Sequence, residues 1–172
     1  EFIGKNAFIS CASMKKLTFQ EGSNLQEIGE QAFLWNEVLE SVELPEGLKA
    51  IGDSAFFNCT ALESVTIPDS VKSIGEKAFD VQMGSESKLE NINYTGTEEQ
   101  WNELMENTKG SNTVLKDESI TVNCACTVTF EDNEHHTATP AQKVQKGNKA
   151  SKPTDPTAKG YKFVGWVDAD GM

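Results

Sequence analysis

The sequence predicts a mainly β fold: a solenoid of about four short coils with a helix-containing C-terminal cap, then an incomplete small β module. Three observations carry this. The pattern Ile-Gly-x-x-Ala-Phe occurs four times, opening at Ile3, Ile28, Ile51 and Ile74. Each copy runs into an alternating apolar stretch, and self-similarity at a fixed period in the low twenties is the mark of stacked coils. The pattern stops after Tyr94, the composition shifts from Cys126, and the stretch from Lys143 to Lys159 is rich in Lys, Pro, Gly and Thr. The expected divisions are therefore 1–94 for the solenoid, 95–123 for a capping helix and strands, and 124–172 for the partial module.

Within the solenoid, Ile3-Gly4-Lys5-Asn6-Ala7-Phe8 leads to Cys11, Met14, Leu17 and Phe19, and Ile28 to Phe33 leads to Asn36, Leu39, Val42 and Leu44. Ile51 to Phe56 leads to Cys59, Leu62, Val65 and Ile67, and Ile74 to Phe79 leads, after an insertion, to Leu89, Ile92 and Tyr94. Side chains alternate across a strand. Leu17/Phe19, Val42/Leu44, Val65/Ile67 and Ile92/Tyr94 are therefore expected inside, and Lys16/Thr18, Ser41/Glu43, Ser64/Thr66 and Asn91/Asn93 outside. Stacked coils set these outward pairs side by side as a parallel sheet face. Pro45 and Pro68 suit strand ends, because proline cannot donate to a ladder. The Ile-Gly glycines are expected at tight places where a Cβ would clash. The long Gln20–Gln26 connection and the excess over 80–88 are expected to bulge as loops.

Beyond Tyr94, Thr97 and Gln100 form a capping box, with Glu98 and Glu99 favourably placed in a first helical turn. Trp101, Leu104 and Met105 make one apolar stripe, which is expected to cover the last coil, since a terminal coil needs a cap. Gly110 is the expected helix stop, with Val114-Leu115 and Ile120-Thr121-Val122 as short strands. Further on, Thr127-Val128-Thr129-Phe130 alternates like a strand, Glu131 to Glu134 reads as a turn, and Gly160-Tyr161-Lys162-Phe163-Val164-Gly165-Trp166 reads as a second, aromatic strand.

The unit Ile-Gly-x-x-Ala-Phe-x-x-Cys-x-x-Leu-x-x-Val-x-Ile-Pro, complete from Ile51 to Pro68, resembles the BspA-type leucine-rich repeat of bacterial surface proteins over about residues 2–94. Gln82 at the Cys/Asn position and the nearby insertion depart from it, as suits a coil that ends the array. The order Val-Thr-Phe, Lys-Pro-x-x-Pro and Gly-Tyr-x-Phe-x-Gly-Trp over 127–172 resembles the Listeria–Bacteroides (internalin B-repeat) module, a β-grasp-like unit that normally continues past this Trp. The chain begins two residues before the first Ile-Gly, so it reads as part of a longer protein. These resemblances imply an exported bacterial protein, secreted or on the cell surface. They imply adhesion to a host or neighbouring-cell surface protein or glycan, with the outward sheet face as recognition surface. The alternative reading is a structural spacer that displays other domains away from the cell wall.

Charge narrows the partners. The net −12 divides as −8 over 1–95, −4 over 96–123 and zero over 124–172, and every cation is Lys. Phosphate recognition needs clustered cations, so nucleic acid and anionic lipid are not expected partners. No run approaches the ~20 apolar residues of a membrane span, so this stretch is not expected to insert in a membrane. Cys11 and Cys59 share one place in their coils, two rungs apart at ~10 Å, beyond disulfide reach. They are expected, with Asn36, as buried small residues facing loop backbone. Cys124 and Cys126 make a lone Cys-x-Cys, a poor zinc site.

Catalytic chemistry finds little support. His135 and His136 are adjacent and lack a partner acid at helical spacing. The many Ser and Thr of the repeats have no His to serve as base. Asp168-Ala169-Asp170-Gly171 has part of a calcium-loop pattern, but Trp166 stands where its first oxygen ligand belongs. Only Glu43 is acidic on the outward ladder, so no carboxylate pair for glycoside hydrolysis is set up. The expectation is a non-catalytic protein without cofactor or metal, whose candidate binding surface is Lys16, Thr18, Ser41, Glu43, Ser64, Thr66, Asn91 and Asn93.

Overall fold

A computed structural model describes residues 1–129, 140–145 and 148–152. In chain order the elements are β1 (Phe2–Ile3), β2 (Lys16–Leu17), β3 (Glu27–Ile28), β4 (Ser41–Glu43), β5 (Ala50–Ile51), β6 (Ser64–Ile67), β7 (Ser73–Ile74), β8 (Asn91–Tyr94), helix α1 (Glu98–Glu106), β9 (Thr121–Val128) and β10 (Gln142–Gln145). Two compact units result, Glu1–Ala125 and Cys126–Met172. The expected turn at Glu131–Glu134, the histidines, the aromatic strand 160–166 and the calcium-like tetrapeptide lie outside the described residues. Of the second unit, the end of β9 and the strand β10 are described.

The first unit is a solenoid built by two parallel ladders. One runs β1-β3-β5-β7 and repeats the Ile column, pairing Ile3 with Ile28, Ile28 with Ile51 and Ile51 with Ile74. The other runs β2-β4-β6-β8-β9. The alternation has its expected sense: Val42, Leu44, Val65, Ile67, Ile92 and Tyr94 are buried, while Leu17 and Phe19 on the first coil are partly covered. Between the ladders the repeat phenylalanines stack. Phe8, Phe33, Phe56 and Phe79 have ring centroids 5.2, 5.1 and 5.0 Å apart with planes within 10° of parallel. Such contacts add roughly 0.5–1.5 kcal/mol each beyond area burial.

The Ile-Gly glycines are demanded by stacking. A Cβ at Gly52 would sit 2.6 Å from the backbone of Glu30 and Gly29 on the preceding coil, whereas one at Gly4, on the first coil described, meets nothing within 4 Å. The turn itself comes two residues later, at Asn6, Gln31, Ser54 and Lys77, whose φ values are 53 to 63°. These are left-handed positions where an ordinary side chain costs ~1–2 kcal/mol. Backbone bonds between coils hold them, such as Gln31 N–H to Asp53 O at 2.9 Å and Ser54 N–H to Glu76 O at 2.8 Å.

The cap differs in detail from expectation. Helix α1 carries the Thr97–Gln100 capping box, buries Trp101 and Leu104, and sets Trp101 5.3 Å from the Tyr94 ring. It stops at Asn107, not Gly110, because the Asn107 N–H and side chain both turn back to Glu103 O. Val114 and Leu115 are buried in a turn instead of forming a strand. The segment before them acts as a degenerate extra coil: Lys109 N–H bonds Ile74 O, just as Gly75 N–H bonds Ile51 O one coil earlier. The strand after them is longer than expected, Thr121–Val128, and pairs with β8 residue for residue, from Asn91 with Thr121 to Tyr94 with Cys124. The expected bulges are present, with Gly22 and Gly84 at positive φ and Met83 98% exposed.

Candidate functional site

The outward face grows from β-strand alternation and ladder register. One row aligns Lys16, Ser41, Ser64 and Asn91, and the next aligns Glu43, Thr66 and Asn93. Thr18 lies one residue beyond β2 and is exposed, outside the paired register. Neighbouring rungs stand ~4.8 Å apart. Lys16, Thr18 and Glu43 are exposed, while Ser41, Ser64, Thr66, Asn91 and Asn93 are half-buried. Lys16 Nζ reaches Glu43 Oε1 at 2.6 Å. The pair is solvent-exposed, so it is worth only ~0–1 kcal/mol. From β6 onward both rows carry only hydroxyl and amide side chains.

Register adds two residues that sequence reasoning left out. Thr121 extends the first row and Asn123 the second, with Asn123 Nδ2 donating to Asn93 Oδ1 at 3.2 Å. The helix between β8 and β9 breaks the repeat period and hides them. The alternation Ile120, Val122, Cys124, whose side chains pack against the core, was the available signal.

Behind the opposite corner lies a polar ladder. Asn36, fully buried, donates through Nδ2 to Phe8 O (2.8 Å) and Phe33 O (2.7 Å) and accepts from Cys11 N–H (2.8 Å). Cys59 continues it, its thiol donating to Phe33 O at 3.4 Å. Cys11, on the first coil described, is only partly buried, contrary to expectation. Gln82 is exposed, and its N–H is taken by Asn58 Oδ1 at 3.1 Å. At the far end two buried residues close the stack that sequence reasoning did not single out. Asp80 accepts from Val114 N–H at 3.0 Å. Asn112 accepts from Ala78 N–H and donates to Gly75 O and Lys109 O. Such groups are structural: each buried bond left unmade would cost ~1–3 kcal/mol.

Burial pushes the Cys59 thiol from 9.0 up to about 12, weakly opposed by a hydrogen bond from the Asn36 backbone. Only the thiolate reacts, so Cys59 is expected to resist alkylation in the native protein while exposed Cys126 is modified. The unfolded thiol ionises first as pH rises, so this group leaves stability unchanged below pH 9.0 and lowers it progressively toward about 12. Mass-mapped iodoacetamide labelling, native against urea-unfolded, checks the first part. Equal native labelling at Cys59 and Cys126 would contradict it.

Among the described residues no three or more His, Cys, Asp or Glu side chains converge as a metal site, and no helix is long and apolar enough to cross a membrane. A family model of the BspA-type leucine-rich repeat region, in six copies, matches residues 1–125.

The chain belongs to the BspA-type leucine-rich repeat family.

The family match extends past Tyr94 to residue 125, in keeping with the extra rung that β9 adds to this BspA-type solenoid. Residues 127–172 match the Listeria–Bacteroides repeat domain. Among solved structures, the BspA-type chain is similar to a leucine-rich cell surface protein from Faecalibacterium prausnitzii A2-165. The two share 35% identity over 63% of this chain, with a TM-score of 0.54. The chain spans 26% of that protein's length. Comparison with curated proteins gives no match.

Proposed function

We propose that this chain is a non-catalytic part of an exported bacterial surface protein. It binds a surface protein or glycan of a host or neighbouring cell through the outward ladder. The observation that carries this is the in-register ladder itself. Polar side chains from Lys16 to Asn123 are laid on one face at strand spacing, while their alternate neighbours are buried or packed against the core. Solenoids offer extended surfaces of this kind. The similarity to a cell surface protein supports the location.

A spacer role is the second reading. It is favoured by the absence of aromatic side chains from the ladder, because binding hot spots are enriched in Trp, Tyr and Arg, and by the appended Listeria–Bacteroides repeat.

A binding screen against glycans, mucins and extracellular-matrix proteins separates the two, run beside a variant with Ser41, Glu43, Ser64 and Thr66 all changed to Lys. Glu43 is exposed and the other three side chains, half-buried, point outward, so each substitution is expected to cost about 1 kcal/mol or less, and the variant is compared only where its circular dichroism matches the parent's. Binding by the parent with loss of at least ~tenfold, or about 1.4 kcal/mol, in the folded variant supports the ladder. Unchanged binding moves the site elsewhere, and no binding to any probe favours the spacer.

A further inference from the structure

We propose that the corner carrying Trp35 and Glu37 is a second contact surface, separate from the ladder, that takes a basic side chain of a protein partner. Trp35 is 49% exposed and has φ 59°. The left-handed conformation is rare for a bulky residue. The same corner in the neighbouring coils is filled by Ser10 (φ 52°) and Asn58 (φ 60°), small polar residues that tolerate it. Coil two therefore holds an indole, half in solvent, where the backbone favours a small residue. Strained positions of this sort cluster at binding sites.

The position is fixed from two sides. Trp35 N–H donates to Phe57 O at 2.9 Å, and Asn58 Nδ2, on the adjacent residue, donates to Glu37 Oε1 at 3.3 Å. Trp35 and Glu37 thus both anchor on the 57–58 step of the next coil.

Charge identifies the occupant. Each lysine of the first coil is matched with an acid of the second: Lys5 with Glu30 at 2.8 Å, Lys15 with Glu40 at 3.0 Å and Lys16 with Glu43 at 2.6 Å. Glu37 is left out. It is exposed, and among the described residues no lysine lies within ion-pair distance of it. A Lys or Arg side chain from a partner would lay its cation over the indole, the best of the aromatic rings for this, and set its charge against Glu37. The surrounding field has the right sign, since residues 1–95 carry a net −8. That field also explains why a basic partner is preferred to a neutral sugar, which would gain nothing from it.

The test uses the intact chain with Trp35→Asn and Glu37→Gln variants, in about 0.15 M salt so that exposed charges beyond ~8 Å are screened. The probes are two labelled synthetic peptides of equal length, one alternating Lys and Arg with Leu and the other Glu with Leu, and an N-acetylglucosamine oligomer. The basic peptide is expected to bind, and Trp35→Asn and Glu37→Gln each to weaken it by about tenfold. Trp35→Asn changes no charge, so attraction to the acidic solenoid in general would leave it binding like the parent. Its melting temperature is expected to equal or exceed the parent's, because Asn takes the left-handed backbone as Asn58 does. The proposal is overturned by equal binding to parent and Trp35→Asn, or by binding of the oligosaccharide or acidic peptide alone. It is equally overturned if no probe binds, or if Trp35→Asn melts several degrees lower, which would make the indole a packing residue.

Discussion

Replacing Phe56 by Ala is expected to destabilise the solenoid by about 4 kcal/mol. Phe56 is fully buried and stacked on both faces, 5.1 Å from the Phe33 ring and 5.0 Å from Phe79. The substitution removes a whole ring from the interior of a column that the backbone cannot collapse to fill. The coil spacing is fixed on both sides by bonds such as Phe33 N–H to Ala55 O and Phe56 N–H to Ala78 O. A domain has ~5–15 kcal/mol in hand, so one such loss leaves little. Repeat arrays are stabilised by nearest-neighbour interfaces, and an inner ring contributes to two of them. Phe8, 45% exposed and stacked on one face only, should cost about 1–2 kcal/mol when truncated. Urea unfolding followed by far-ultraviolet circular dichroism measures both. If Phe56→Ala and Phe8→Ala shift the midpoint equally, the column does not carry the stability assigned to it.

That column, the Ile column and the outward ladder were readable in the sequence for one reason: each is a copy of itself one coil earlier. Period and strand alternation suffice to place Ser41 beside Ser64 and Val42 beside Val65, because a parallel stack has a single sensible register. What escaped lies where the copying ends. Asn112 satisfies the Ala78 N–H and the Gly75 carbonyl from a segment with no repeat signature. Asp80 stands where earlier coils have Ile9, Leu34 and Phe57, a column break that marks the closing of the stack. Val114 and Leu115, an apolar pair, read as a strand, because periodicity cannot distinguish two residues in a strand from two in a turn. Thr121 and Asn123 were missed as ladder members because α1 lengthens the path from β8 to β9 and removes the period that would have aligned them. Trp35 was legible only as a residue. Its left-handed backbone belongs to the corner, and the corner appears once the coils are stacked.

Gly52→Ala is expected to cost about 3 kcal/mol, and Gly4→Ala, the same substitution at the same place in the repeat, to be neutral or stabilising by up to about 1 kcal/mol. Neither glycine has positive φ, so conformational freedom does not distinguish them. The difference is what a methyl group meets. At Gly52 it lies 2.6 Å from Glu30 N and from Gly29 C, backbone atoms with no rotamer to retreat into, and at Gly4 it meets nothing within 4 Å. Accommodating it at Gly52 means prying coil three from coil two, which stretches the Gly52 N–H to Ile28 O bond (2.7 Å) and loosens the Phe33–Phe56 contact (5.1 Å) together. Alanine also narrows the unfolded ensemble, an effect worth ~0.4–1 kcal/mol in favour of folding at either site. Gly4→Ala gauges that effect, since it lacks the clash. If both variants melt with the parent, stacking does not require the glycine. A comparable loss at both would instead make the requirement local to the Ile-Gly turn, and the coil-to-coil contact would not be its cause.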